Sequence, residues 1–593
     1  MKNSMDRYKY FILPALALFF FCLGNSRKDD PAFLGPVDMV YSPGQGKLYI
    51  AEYHGKRIDV FDLGKKAVIT TLPLTDHPNN LFLTGDQKNL LVSQGMADGR
   101  LLVYDLEKLK KKKEIPSGHS PTAIKESKKH IILCNRFPGK ITFLDKEKFQ
   151  IEKTVDVGRE PMGMAIIPDK NKLFVAHHLP EMASTADHVA AKISVINLNS
   201  FEVINSILLP NGSSSVKDIT LGPEGKYLFV THILARYLLP PTQLERGWMN
   251  TNAFSIIDVE IMKCLQTILL DDIDHGAANP WDLDFSADGQ RIFVSHAGTH
   301  EISIIDWGKM KDVLSISDSS STDYTSSENL GFIYPYRKRL ALQGNGPRAI
   351  LSDEDYLFAA NYFSDNLSII NLLNFMEQNI PLGGGKLSDE LLGEMYFHDA
   401  SLCFQSWQSC VSCHPDARVD GLNWDLLNDG IGNPKNVKSL LLSHKTPPVM
   451  SLGVRPHAKL AVRSGFKYIQ FAAVPEAYSS LVDAYLQGLE PVDSPYPASS
   501  KEHEKGEALY QSLKCNECHP APLYTDLNSY PLGEDKNIQW DTPTLVELWR
   551  TGPYWHDGKY AGLEELFETE MHGLQEPLSP NDLKALNAYL QTL

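Results

Sequence analysis

Ile58-Asp59-Val60-Phe61-Asp62-Leu63 is a short alternating run that closes on an acid and a leucine, the signature of a half-buried strand. The pattern returns at 101–106, 141–146, 193–198, 254–259, 302–307 and 367–372, so seven copies start 40 to 65 residues apart. A polar turn and a short apolar strand ending in a small residue precede each copy. The shortest spacings match the ~40–45 residues of a four-stranded propeller blade, and the longer ones imply inserted loops. An all-β, seven-bladed propeller is therefore expected over residues 31–375. The insertions fall at about His178–Ala191, Ile233–Asn252 and Gly308–Gly346, the last holding the serine-rich stretch Ser315–Ser327. Such loops lie on propeller faces, where binding specificity concentrates.

The repeats resemble the family named for its Tyr-Val-Thr-Asn signature, seen here as Phe229-Val230-Thr231-His232 and Phe358-Ala359-Ala360-Asn361. Aligned on it, Glu52, Gln94, Asn135, His177, His232, His296 and Asn361 occupy one equivalent position per blade. Three histidines and a glutamate converging on the channel mouth would suit a transition metal. The signature's own asparagine points instead to a structural position, and a third reading makes this face a dock for the second domain.

The chain has 593 residues, 43% hydrophobic and 22% charged, ordinary values for a globular protein of at least two packed regions. A net charge of −16 argues against a nucleic-acid binder, and the run Lys110–Lys113 reads as a solvated loop. Basic residues, the apolar stretch Tyr10–Leu23 and a polar segment give residues 1–26 the layout of a secretory signal. Cys22 could be a lipidated first residue, although the bulky Phe21 fits such sites poorly; cleavage after Ser26 is the alternative. Either reading places the protein in the periplasm or on the outer membrane of a Gram-negative-type bacterium. Of eight cysteines, Cys134, Cys264 and Cys403 are left over as buried thiols rather than a disulfide framework.

From about Pro381 the strand rhythm gives way to helical patterns. Leu387–Phe397 reads as an amphipathic helix leading into Cys410-Val411-Ser412-Cys413-His414, and Cys515-Asn516-Glu517-Cys518-His519 follows. In Cys-x-x-Cys-His the thiols add to the haem vinyl groups and the histidine ligates iron, so two covalent haems c are expected. Zinc ribbons are the rival, but the motifs lie about one hundred residues apart and each carries its histidine. A mainly α domain with lobes at 385–495 and 500–593 results. The sequence leaves open whether calcium or another metal is present.

Gly393-Glu394-Met395-Tyr396-Phe397-His398-Asp399, the first haem motif, and Arg550-Thr551-Gly552-Pro553-Tyr554-Trp555-His556-Asp557-Gly558 resemble the di-haem cytochrome c peroxidases and their methylamine-utilisation relatives. That resemblance implies a peroxide-reacting first haem and an electron-relaying second haem, with proximal ligands His414 and His519. It places the sixth ligand of the second iron after Glu565, at His572 or Met571. The family's Trp-Asp-Gly-Arg relay and its peroxide-cleaving glutamine and glutamate are not recognisable; Pro447–Arg455 stands there instead. Glu476, His444 and His457 are acid/base candidates by location only, and Trp424 and Trp407 are candidate electron shuttles or core residues. The expected function is an exported di-haem oxidoreductase fed by a small cytochrome or cupredoxin. Its propeller would recognise a protein or small molecule, and it would touch a membrane only through a lipid anchor. A non-catalytic carrier and a propeller-bound metal reductase are the alternatives.

Overall fold

The computed structural model describes residues 32–246, 248–314, 327–426, 432–533 and 537–593. The expected signal, Cys22 and nearly all of the serine-rich stretch lie outside them. From Pro36 to Pro381 the described chain is mostly antiparallel strand, gathered in six sheets. Each alternating run quoted above supplies the third strand of a four-stranded meander. One sheet has seven strands because Lys110–Glu126 pairs with Gly99–Asp105 through its first half and with His130–Phe137 through its second. The basic run expected as a loop opens that strand. Its lysines stay exposed, and Lys112 is paired with Asp105 at 2.9 Å.

The first strands of the meanders touch in sequence: Pro36–Ser42, Pro78–Leu83, Lys110–Glu126, Pro161–Ile167, Ile219–Leu221, Pro280–Phe285 and Pro347–Ser352, which returns to the first. Side-chain oxygens staple neighbours across the gaps between sheets. Asp38 accepts the Leu81 backbone N–H at 2.6 Å, Asn80 that of Ile124 at 3.0 Å, Asp282 that of Ile350 at 2.7 Å and Asp284 that of Ser352 at 2.7 Å. Asp365 of the last sheet accepts the N–H groups of Leu34 and Gly35, both at 2.8 Å. Buried Leu34, Met39 and Leu48 pack there against Phe358, Ala360 and Leu367, closing the ring.

The 178–191 and 233–252 insertions build one face, the second by extending two strands into the hairpin Tyr227–Ala235/Asn250–Asp258. The 308–346 insertion starts from the other end of its sheet, where the short helix Trp307–Val313 lies by the Gln290 turn, and returns in the strand Arg337–Ala341. The helical half of the chain docks on the face built by the first two. Asn279 donates to Ser409 Oγ and accepts from Ser412 Oγ, both at 2.9 Å, and Ser184 Oγ donates to the Gly421 carbonyl at 2.8 Å. A Cβ on Gly276 would lie 2.5 Å from Trp407 Cα, so only glycine allows this approach. The docking reading of the face holds.

The helix expected at 387–397 runs Asp389–His398, with Ser388 Oγ accepting the Leu391 N–H. Helices Glu476–Gln487, Lys501–Ser512, Leu563–Glu570 and Pro580–Leu590 follow. No helix among the described residues is long and apolar enough to cross a membrane.

Burial raises the Asp38 carboxyl from its ordinary 3.8 to about 7, against the pull of its bonds to the Leu81 and Met39 N–H groups. The folded state thus keeps a proton that the unfolded chain releases. This group's contribution to stability is complete below about pH 4 and is lost as pH rises towards 7. Asp38→Asn is expected to melt with a different pH slope across that window, the difference from wild type being this loss. Parallel melting curves for the two proteins would show that Asp38 titrates normally.

Candidate haem centres

Each Cys-x-x-Cys-His motif forms a one-turn helix, Cys410–Cys413 and Cys515–Cys518. The histidine N–H closes each turn onto the first cysteine's carbonyl at 2.9 Å. His414 Nδ1 lies 3.2 Å from the Arg418 carbonyl and His519 Nδ1 lies 3.0 Å from the Tyr524 carbonyl. A carbonyl partner fixes the proton on Nδ1 and leaves Nε2 bare, the tautomer and orientation a metal-ligating imidazole needs. None of the four motif cysteines is tied up in a disulfide.

The two lobes repeat each other. Cys410 and Cys515, Cys413 and Cys518, and His414 and His519 are each 105 residues apart. The same interval relates left-handed Met450 (φ 77) to Trp555 (φ 82), Gly453 to Gly558 (both φ 62), and the bridge Val449–Arg455 to Tyr554–Tyr560. In each lobe the helix before the motif crosses the last helix at a glycine. A Cβ on Gly393 would meet the Leu481 carbonyl oxygen at 2.0 Å, and one on Gly506 would meet that of Ala585 at 2.0 Å.

The lobes differ opposite the histidines. The His519 and His572 rings lie 6.4 Å apart between centroids. Two metal–nitrogen bonds of about 2 Å with half an imidazole at either end span about 6 Å, so the pair fits the two sides of one iron. Burial lowers His572 to about 4, keeping it a neutral donor, and Trp555 packs edge-on to it at 5.7 Å. Met571, the other candidate, is the left-handed residue that ends helix Leu563–Glu570. In the first lobe the helix runs on through Gly465–Ile469, where the second lobe has already turned at Met571 into His572; Lys467 in that stretch is exposed, its ammonium over the Tyr468 ring.

The first motif is enclosed by other means. Gln470 Nε2 lies 3.0 Å from Cys410 Sγ, and Asn250 Nδ2, from the extended hairpin, lies 3.4 Å from Cys413 Sγ. Met249, Ile469, Phe471 and Trp424 join Cys413 in one apolar cluster. Trp424 Nε1 donates to Asp420 at 2.9 Å, and burial raises that carboxyl to about 7. Met249, Asn250 and Asp420 were not singled out in the sequence: the docking of the two halves brings the first two to the motif, and Asp420, six residues after His414, is fixed there by its bond to Trp424.

Other candidates fall elsewhere. His444 and His457 line a cavity of about 620 Å³ to which no residue of either motif contributes, and Glu476 is bound by Arg463. Trp407 is fully buried beside Trp248 and reads as core. The seven aligned polar residues are all buried, and most bond within their own sheet: His177 to Ser194, His232 to Ser255, His296 to Ser303, Asn361 to Ser368 and Asn135 to Thr142. The histidines do not converge, which removes the proposed metal ring. Among the described residues no group of three or more His, Cys, Asp or Glu is placed to share a metal ion.

The chain is 28% identical over 226 residues to hydrazine synthase subunit beta of Kuenenia stuttgartiensis, covering 38% of this chain and 56% of that one. It is 25% identical over 273 residues to hydrazine synthase subunit gamma of the same organism, covering 34% of this chain and 76% of that one. It thus spans little more than half the beta subunit's length while being related to two subunits of one enzyme. A solved structure of Kuenenia stuttgartiensis hydrazine synthase matches 60% of this chain and 99% of that chain, with a TM-score of 0.53 and 24% identity, a likeness of fold. No protein-family model matches the chain.

In the haem-loaded protein, His572→Ala is expected to turn the second centre from low spin to high spin in electron paramagnetic resonance, while Met571→Ala leaves it low spin. The reverse pair of results would assign the ligand to Met571.

Proposed function

We propose that the chain is an exported di-haem c-type oxidoreductase of the cytochrome c peroxidase and methylamine-utilisation type, with a seven-bladed propeller built around its first centre. The observation that carries this reading is the inequality of two otherwise repeated lobes: in the second, the chain turns at left-handed Met571 and His572 faces His519, whereas in the first the helix runs on through Gly465–Ile469 with Lys467 exposed. The ring of touching first strands and the seven meanders support the propeller. The relatives, named as subunits of a hydrazine synthase, support an enzymatic role.

Bound haem would supply one-electron chemistry at both centres and, at an iron with an open position, activation of a peroxide. The chain's residues divide the remaining work. His519 and His572 would hold the second centre in one coordination throughout, which suits electron relay. Cys518 is only partly buried, offering an approach for a small cytochrome or cupredoxin. At the first centre Met249, Ile469 and Phe471 exclude water. The Asp420 carboxyl, poised near neutrality and hydrogen-bonded to Trp424, can hold or release a proton beside Cys413, the kind of group that cleavage of a peroxide bond requires. The amino-terminal signal layout supports export beyond the inner membrane, with the mature protein free or anchored through Cys22.

A carrier without catalysis is the second reading. The thioether of Met249 lies in the Cys413 cluster and is itself a possible iron ligand that would close the first centre. Hydrogen peroxide added to the half-reduced protein decides between them. Turnover with a change confined to one haem is expected; two low-spin haems and no turnover would leave the carrier.

A further inference from the structure

We propose that Glu547, in the second lobe, is a positioning residue for the iron ligand of the first centre, acting through Arg418. The inference rests on the reading of His414 as a haem ligand and names a control on that haem which the two motifs do not reveal.

Arg418 faces two ways. Its carbonyl is the oxygen 3.2 Å from His414 Nδ1. Its guanidinium crosses to the second lobe and grips Glu547 with two bonds, Nε to Oε2 at 2.6 Å and Nη2 to Oε1 at 3.0 Å. A third bond, Nη1 to the Asp416 carbonyl at 3.2 Å, closes the loop that follows the histidine onto itself. Arg418 and Glu547 are 5% and 1% exposed, so neither charge is screened by water.

Glu547 is held as firmly. Its backbone is left-handed at φ 60, its N–H donates to the Leu593 carbonyl at 3.0 Å, and its Oε1 also accepts the Val492 N–H at 2.8 Å. Beyond the pair the charges continue. Arg550 lies 3.7 Å from Glu547 and 3.4 Å from Asp416, and Arg136 of the sheet ring bridges Asp416 and Glu160, both at 2.6 Å. Three arginines thus alternate with three carboxylates across both lobes and the ring.

The arrangement is one-sided. The 105-residue register pairs Glu547 with Leu442, which is left-handed at the same φ of 60, while the carbonyl facing the second histidine comes from Tyr524, one place beyond the register partner of Arg418. The left-handed turn is common to both lobes, but Leu442 and Tyr524 cannot form the ion pair that reaches the first histidine. The carbonyl that orients a ligating imidazole sets its rotation and its donor strength. Neutralising Glu547 leaves a buried arginine uncompensated on the residue that supplies this carbonyl, and the His414 ring must respond. Removing a negative charge near the iron also disfavours its oxidised state.

The test uses the full-length haem-loaded protein with Glu547→Gln and the milder Arg418→Lys, which keeps the charge but loses the two-pronged grip. Potentiometric titration followed by electron paramagnetic resonance reads each haem separately. Glu547→Gln is expected to shift the first haem's reduction equilibrium at least tenfold towards the reduced form, about 59 mV for one electron, and to change its resonance anisotropy. Arg418→Lys should change the anisotropy with a smaller shift, and the second haem should keep its wild-type signal in both. First-haem signals unchanged in either variant, or equal changes at both haems, would overturn the proposal. A wild-type protein without two covalent haems would instead overturn the reading on which it rests.

Discussion

An innermost strand in a ring of sheets has one edge without a ladder partner, and its N–H groups must find an acceptor there or be buried unpaired. The neighbouring sheet is turned too far to continue the ladder, so a side chain has to bridge the gap. Asp38, Asn80, Asp282 and Asp284 do this between successive first strands, and Asp365 does it where the last sheet meets Leu34 and Gly35. A carboxylate is well suited to this use, since one oxygen can serve two donors: Asp38 Oδ2 takes both the Leu81 N–H and Asn80 Nδ2. The cost is a set of enclosed acids. Burial and their neighbours Asp218 and Asp38 push Asp282 well above its ordinary value.

The closed ring presents the long hairpin and the interstrand loops on one side, and that face encloses the first centre. Polar contacts cross the seam beside its apolar cluster. Asn279 reaches two serines flanking Cys410, and Asn252 Nδ2 donates to the Trp407 carbonyl at 3.1 Å. Buried hydrogen bonds of this kind add little net stability yet punish misalignment, because each donor pulled from its acceptor carries the full cost of desolvation. The interface therefore specifies one seating of the lobe on the ring. The second centre keeps its contacts largely within its own lobe.

Strands, insertions and both motifs were legible in the sequence because each is a local pattern. Alternation marks Ile58–Leu63 and its six counterparts, and covalent chemistry dictates the spacing of Cys410, Cys413 and His414. The aligned histidines show where such reading stops. Their polarity was visible but their purpose was not, since the partner of His177 is Ser194, on a neighbouring strand beyond an insertion. Where no insertion intervenes the partner stands seven residues on, as in Asn135 with Thr142, His296 with Ser303 and Asn361 with Ser368, a signal the sequence does contain. Asp420 and Met249 carry no such mark. Met249 reaches Cys413 only through the docking of the hairpin, and Asp420, though six residues after His414, stands in no motif, so His444, His457 and Glu476 were candidates by location only.

The repeated lobes show which positions hold the scaffold and which decide its chemistry. Gly393 and Gly506 match because both helix crossings bring a backbone carbonyl within reach of any Cβ, and no other residue fits. Gly453 and Gly558 match for their left-handed turns. Neither pair touches a candidate ligand. The differences bear on the histidines: Leu442 stands against Glu547, Tyr524 supplies the carbonyl that Arg418 supplies in the first lobe, and the helical stretch Gly465–Ile469 runs on where the second lobe turns at Met571 into His572. One lobe has gained a second imidazole facing the first, and the other an arginine anchored outside itself. Both changes lie outside the motif turn and the glycine crossings the lobes share, so they alter what surrounds the histidine without altering the turn that presents it. Under the proposed reading, relay at one iron and reaction at the other would call for that separation of scaffold from chemistry.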